Sequence, residues 1–122
     1  MITVTKRFKF EAAHFLPGYE GDCCRVHGHS YKLEVTVTRN PLDNDMVIDF
    51  KILSQIVKDH IIKRWDHYML NDLQEFKEER PTAENMVVIV YAILLEELPK
   101  GIGLTSIRLW ETEDSYAEWS AQ

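Results

Sequence analysis

Cysteine is nearly absent from this chain, and its two copies are neighbours, Cys23 and Cys24. A bridge between adjacent residues is strained and staples nothing, so both are expected as free thiols. A zinc ribbon is ruled out as well, because it needs a second cysteine pair. Long apolar runs are also missing. The longest, Met86 to Leu95, is interrupted by Tyr91 and falls short of the ~20 residues of a membrane span, so it reads as a buried helix face. Met1-Ile2-Thr3-Val4 has no signal-peptide pattern, and a cytosolic location is expected.

Positive charge is in deficit. The 14 Lys and Arg against 20 Asp and Glu give a net charge of −6, which argues against general nucleic-acid binding through phosphates. The basic residues are uneven, however: Lys6, Arg7, Lys9, Arg25 and Lys32 fall in the first 32 residues, among the histidines. They are either solvated strand positions or a local basic rim for an anionic substrate. No repeat, linker or low-complexity stretch divides the chain. The 122 residues, 45% of them hydrophobic, are therefore expected to form one domain over 1–122 with a core of its own.

Hydrophobic alternation places the first elements. Over residues 2–14, Ile2, Val4, Phe8, Phe10 and Ala12 share one parity, with Lys6 the exception, and Thr3, Thr5, Arg7, Lys9 and Glu11 share the other. That is a half-buried strand, and His14 falls on its apolar side. Pro17, Gly18, Gly21 and Asp22 mark a loop over 15–26. Alternation resumes at His27, with His27, His29, Tyr31, Leu33, Val35 and Val37 on one face. After a turn at Asn40–Asn44, Asp49 reads as the N-cap of a helix with Phe50, Leu53, Ile56, Val57, Ile61 and Trp65 as its apolar face. Residues 67–80 read as a polar connection. Pro81-Thr82 opens a second helix, which Pro99 ends. Leu104–Trp110 and Tyr116–Trp119 read as strands, and Glu111 shares the parity of Ile107 and Leu109. The expected order is ββααββ, an α+β sandwich of a four-stranded sheet with two helices on one face. So open a sheet has edges that need covering, which favours an oligomer.

The chemistry concentrates in few residues. A single inward histidine is usually a satisfied core residue, but His14, His27 and His29 converge from two neighbouring strands, with only Gly28 between the last two. Three nitrogen donors suit zinc rather than magnesium or calcium, and an open fourth position is the pattern of a catalytic site. Cys23, four residues before His27, would be a workable general base beside a divalent cation and Arg25, and Cys24 competes for the same role. Asp66-His67 is either a plain polar pair at a helix end or a carboxylate orienting a proton-shuttling imidazole. Glu111 is either a solvated edge residue or an acceptor for a heterocycle with two adjacent N–H donors.

Taken in order, Phe10-Glu11-Ala12-Ala13-His14, Cys23 before His27-Gly28-His29, Asp66-His67 with Leu70-Asn71-Asp72, Pro81-Thr82-Ala83-Glu84-Asn85, and Glu111 make a specific pattern over nearly the whole chain. The pattern resembles the 6-pyruvoyl-tetrahydropterin synthase family, and within it most closely the bacterial 6-carboxy-tetrahydropterin synthases of queuosine biosynthesis. The resemblance implies a tunnelling fold whose subunits join sheets into a barrel, as a trimer or a dimer of trimers. It implies active sites between subunits and 7,8-dihydroneopterin triphosphate as substrate. By matching position it implies zinc on His14, His27 and His29, the pterin ring on Glu111 with a further contact from Thr82, and proton transfer by Cys23 with Asp66 and His67. In the queuosine branch triphosphate and acetaldehyde leave and a 6-carboxy group remains; in the biopterin branch the pyruvoyl product is kept. Two other readings of the residues stand beside these: a zinc hydrolase or aldolase acting on another small anion, and a metal-stabilised oligomeric binding module.

Overall fold

A computed structural model describes residues 1–122. Its centre is the pairing of β1 (Thr3–His14) with β2 (His27–Thr38), antiparallel from Thr3↔Thr38 to His14↔His27. β2 pairs on its other side with β4 (Gly103–Thr112), and β4 with β5 (Ser115–Ser120), both antiparallel. The alternation expected from the sequence holds along this sheet. Phe8, Phe10, Ala12, Tyr31, Leu33, Val35, Val37, Ile107 and Leu109 are all buried against the helices.

The sheet has five strands rather than four. A two-residue β3 (Tyr68–Met69) runs parallel to β1 beside Ala12 and Ala13, giving the order β3-β1-β2-β4-β5. Two residues carry no periodicity, so this strand has no signature of its own in the sequence. The stretch 67–80 is likewise not simply polar: it folds into two three-ten turns that bury Leu70 and Phe76.

The first helix is one rod of three parts: α1 (Phe50–Val57), a π turn (Lys58–Ile62) and α2 (Lys63–Trp65). Leu53, Val57, Ile61 and Trp65 follow at steps of four, and all four are fully buried. In a straight α-helix of 3.6 residues per turn each such step drifts by about 40°. The wider π turn absorbs the drift and keeps the four on one face. Phe50 is half exposed, not part of that face, because it stands in the first turn just beyond the sheet's cover. Asp49 caps the helix as expected, accepting from the Lys51 N–H at 2.8 Å.

The second rod, α3 (Ala83–Glu97), buries Met86, Val87, Val90 and Leu94 on the same side of the sheet as α1. The architecture is α+β, with both rods on one face. No helix is long and apolar enough to cross a membrane.

Candidate metal centre and active site

Strand alternation delivers the histidines to one place. His14 ends β1 directly across from His27, the first residue of β2, and His29 faces Ala12 one inward position further along. The ligating nitrogens of all three lie within 4.8 Å of one another, and no carboxylate or thiol belongs to the cluster.

The hydrogen bonds around the rings decide what the nitrogens can do. His14 Nδ1 lies 2.7 Å from the Pro81 carbonyl, and His27 Nδ1 lies 2.7 Å from the Arg25 carbonyl. A carbonyl only accepts, so each Nδ1 carries the proton and each neutral Nε2 presents a lone pair. Those two Nε2 atoms face each other at 3.0 Å, close to the ~3.3 Å between two nitrogens held 2.0–2.1 Å from a tetrahedral ion. His29 Nε2 is buried with no hydrogen-bond partner at all. Two lone pairs aimed at one another and a third buried and unsatisfied are costly unless a cation sits among them. The three residues fit a metal ion.

Electrostatics keeps them in ligand form. Burial holds His14 and His29 below the ordinary imidazole range; the nearby Glu111 carboxylate opposes this and does not overcome it. Neutral imidazole is the species that binds a metal. Tyr31, whose hydroxyl lies 3.3 Å from His14 Nδ1, is pushed far above the usual phenol value by burial and stays protonated.

Glu111 stands where its parity predicts, on β4 beyond Leu109, with Oε1 3.7 Å from His29 Nε2. It also lines an open groove of about 530 Å³ between the first turns of α3 and strand β5, with Ala83, Val87 and Trp119. Thr82 is the N-cap of α3. Its hydroxyl accepts from the Asn85 N–H at 3.1 Å, while the neighbouring Pro81 supplies the carbonyl that orients His14.

Asp66 closes α2; its Oδ1 accepts from the Glu11 N–H at 2.9 Å and lies 2.9 Å from His67 Nδ1. His67 has a left-handed backbone, φ 67°, and its N–H donates to the Glu11 carbonyl. That turn sends its side chain out to a shallow groove it shares with Glu11, Gly28, His29 and Ser30. Of the three clustered histidines, only His29 is among the residues lining that groove. Cys23 sits in a three-ten turn (Asp22–Cys24), half-buried, while Cys24 is exposed. Neither thiol hydrogen-bonds to a histidine. The orienting carbonyls of Pro81 and Arg25 have no signal in the sequence, because any residue type supplies a carbonyl. Asn71 lies inside a recognisable motif, yet its residue type alone assigns it no role.

The α+β sheet thus brings together three histidines that could hold a metal ion, with the Glu111 carboxylate beside them. The chain belongs to the 6-pyruvoyl tetrahydropterin synthase family, whose model matches residues 3–122. It is similar to the 6-carboxy-5,6,7,8-tetrahydropterin synthase of Synechocystis sp., at 39% identity over 129 residues covering 98% of this chain and 93% of that one. It is similar also to the Haemophilus influenzae protein of the same name, at 32% identity over 141 residues covering 98% and 99%. In fold it matches the solved Caenorhabditis elegans 6-pyruvoyl tetrahydropterin synthase with a TM-score of 0.87 at 23% identity, covering 99% of this chain and 96% of that one.

Proposed function

We propose that this protein converts 7,8-dihydroneopterin triphosphate to 6-carboxy-5,6,7,8-tetrahydropterin, releasing acetaldehyde and triphosphate, as a zinc-dependent lyase of queuosine biosynthesis. The observation that supports the reading is the 3.7 Å between His29 Nε2 and Glu111 Oε1, the residues proposed here as a metal ligand and the pterin anchor. The curated relatives, at 32% and 39% identity over almost the whole chain, support the choice of product. Atom balance requires one water: triphosphate leaves by elimination, which consumes none, and the water is taken up as the remaining side chain divides into the carboxyl carbon and two-carbon acetaldehyde.

His14, His27 and His29 are the residues to hold zinc, which when bound acts as a Lewis acid on the substrate's side-chain oxygens. Glu111 accepts two adjacent N–H donors of the pterin ring and fixes its orientation, with Thr82 alongside. Cys23 takes and returns protons at the side chain, and it is the half-buried thiol of the two. His67, oriented at Nδ1 by the Asp66 carboxylate, serves as the second proton carrier.

The reading includes a cytoplasmic homo-oligomer, a trimer or a dimer of trimers, built on pairing between free sheet edges. β5 is one edge, and β1 beyond its short contact with β3 is the other. The partner is a small anionic pterin rather than a nucleic acid, consistent with the net charge of −6.

The test is incubation of zinc-loaded protein with 7,8-dihydroneopterin triphosphate, with acetaldehyde assayed and the pterin identified by mass. Both the 6-carboxy product and acetaldehyde are expected. Triphosphate without acetaldehyde moves the assignment to 6-pyruvoyl-tetrahydropterin synthesis, and neither product overturns it.

A further inference from the structure

Lys6 is the one charged side chain in the helix-facing row of β1, between Val4 and Phe8 and directly across from the fully buried Val35. It is half-buried, and β1 has no neighbour on its other side at this level, because β3 reaches only Ala12 and Ala13. Two adjoining cavities of about 240 and 340 Å³ share Lys6, Ser54 and Lys58 and form one groove between that open edge and α1. Lys51, Ser54 and Lys58 stand at steps of three and four along α1 and into its π turn, so they project from one side of the rod. Lys9 adds a cation at the rim.

No Asp or Glu lines either cavity, in a chain with 20 acidic residues against 14 basic. None of the chain's ion pairs includes Lys6, Lys9, Lys51 or Lys58. The carboxylates on the neighbouring elements are engaged: Asp59 by Lys63 at 2.7 Å, Asp49 as the cap of α1, and Glu34 by Arg7 at 3.0 Å. An inward charge on an edge strand also guards against stray pairing. That role needs Lys6 alone and does not account for two helix lysines turned on the same groove. Like charges gathered in one cleft repel one another and focus a positive potential there, and a bound anion relieves the repulsion.

We propose that this groove is a polyphosphate-binding site, with Lys6, Lys51 and Lys58 on the anion's oxygens and the Ser54 hydroxyl as a further donor. Lysine holds phosphate as a point charge, and several together suit a chain of charged oxygens better than a single carboxylate. Only Phe8, Phe50 and Ile62 give the groove apolar lining, too little to enclose a heterocycle. The groove is separate from the same chain's metal centre, since Lys6 precedes His14 by eight residues of continuous strand, roughly 26 Å at the usual strand rise. Two sources of the anion fit. One is free polyphosphate, such as the triphosphate that the proposed reaction releases. The other is the triphosphate tail of substrate held by an adjoining copy at the β1 edge. The choice between them rests on the function proposed above; the groove's affinity for polyphosphate does not.

The probe is inorganic tripolyphosphate, titrated calorimetrically into the zinc-loaded protein at low ionic strength, with zinc content measured before and after. The parent is compared with the double variant Lys6→Gln with Lys58→Gln, and with Lys77→Gln, an exposed lysine that lines neither cavity. Any binding to the metal itself is common to all three and cancels. The double variant is expected to bind at least tenfold more weakly with its zinc retained, while Lys77→Gln matches the parent. No binding by the parent, or equal binding by the double variant, overturns the proposal. If Lys6→Gln does not fold, Lys51→Gln with Lys58→Gln, both at exposed helix positions, decides on the same criterion. Steady-state kinetics with 7,8-dihydroneopterin triphosphate then separate the sources. A KM raised at least tenfold in the double variant assigns the groove to the substrate's tail, and an unchanged KM assigns it to free polyphosphate. Should the parent turn over no pterin, the assigned reaction falls, and the titration still decides the groove.

Discussion

His29 Nε2 and Glu111 Oε1 lie 3.7 Å apart, where the inward faces of β2 and β4 converge at the rim of the histidine cluster. The imidazole is buried and lacks any other partner, whereas the carboxylate opens on the groove beside α3. His29 belongs to the histidine cluster, and Glu111 lines the groove.

Glu111→Gln separates those two roles. The amide presents an N–H where the pterin also presents N–H groups, so a charge-assisted contact of about 1.5–3 kcal/mol becomes a mismatch. The expected result is a fall in kcat/KM on the order of 10²-fold with zinc content unchanged, read by steady-state kinetics and metal analysis. Loss of zinc with intact pterin affinity would assign Glu111 to the metal instead.

The depressed histidines give the metal-free protein a pH dependence. Unfolded imidazoles take up protons near pH ~6.5, while burial makes folded His14 and His29 do so only at lower pH. Between those values the unfolded chain binds more protons, so stability falls as pH drops below about 6.5; above it both states are neutral and nothing is gained. Melting temperatures of metal-free protein from pH 7.5 to 5.5 should decline on acidification, with a shallower decline for His29→Gln. Equal slopes would remove His29 from the explanation.

The two thiols are told apart by substitution. Cys23→Ala should lower kcat by about 10²- to 10⁴-fold, the range for loss of a general acid–base group, with zinc retained. Cys24→Ala, at an exposed position, should stay close to the parent rate. Inverted results would move the catalytic role by one residue, and a Cys23→Ala protein of near-parent activity would favour a zinc hydrolase.

Much of this site is legible in the sequence, for a definite reason. A strand's side chains alternate with period two, so counting from Phe8 and Phe10 to His14, and from Tyr31 back to His29 and His27, settles their face. Helix starts are readable because Asp49 and Thr82 carry the acceptors that first-turn N–H groups need. β3 is not, since Tyr68–Met69 pairs only because Ala12 and Ala13 lie alongside. Leu70 and Phe76 stand six residues apart in a polar stretch without sustained alternation, so neither announces its burial. The π turn hides in plain spacing: Leu53, Val57, Ile61 and Trp65 at steps of four are too regular for a straight α-helix. In the site, ring nitrogens held by the Pro81 and Arg25 carbonyls leave no mark on residue identity. The roles of Glu111 and Thr82 come from family resemblance, and the structure adds that the Thr82 hydroxyl is engaged as a helix cap.

The catalytic metal assignment is tested most sharply by X-ray absorption at the zinc edge on the purified, metal-loaded protein. One zinc per chain is expected, with three imidazole nitrogens at about 2.0–2.1 Å and a fourth light-atom ligand from water or substrate. Each of His14→Ala, His27→Ala and His29→Ala should lose that zinc. A sulfur scatterer at about 2.3 Å would mean that a cysteine closes the fourth position, making the metal structural and contradicting the catalytic reading.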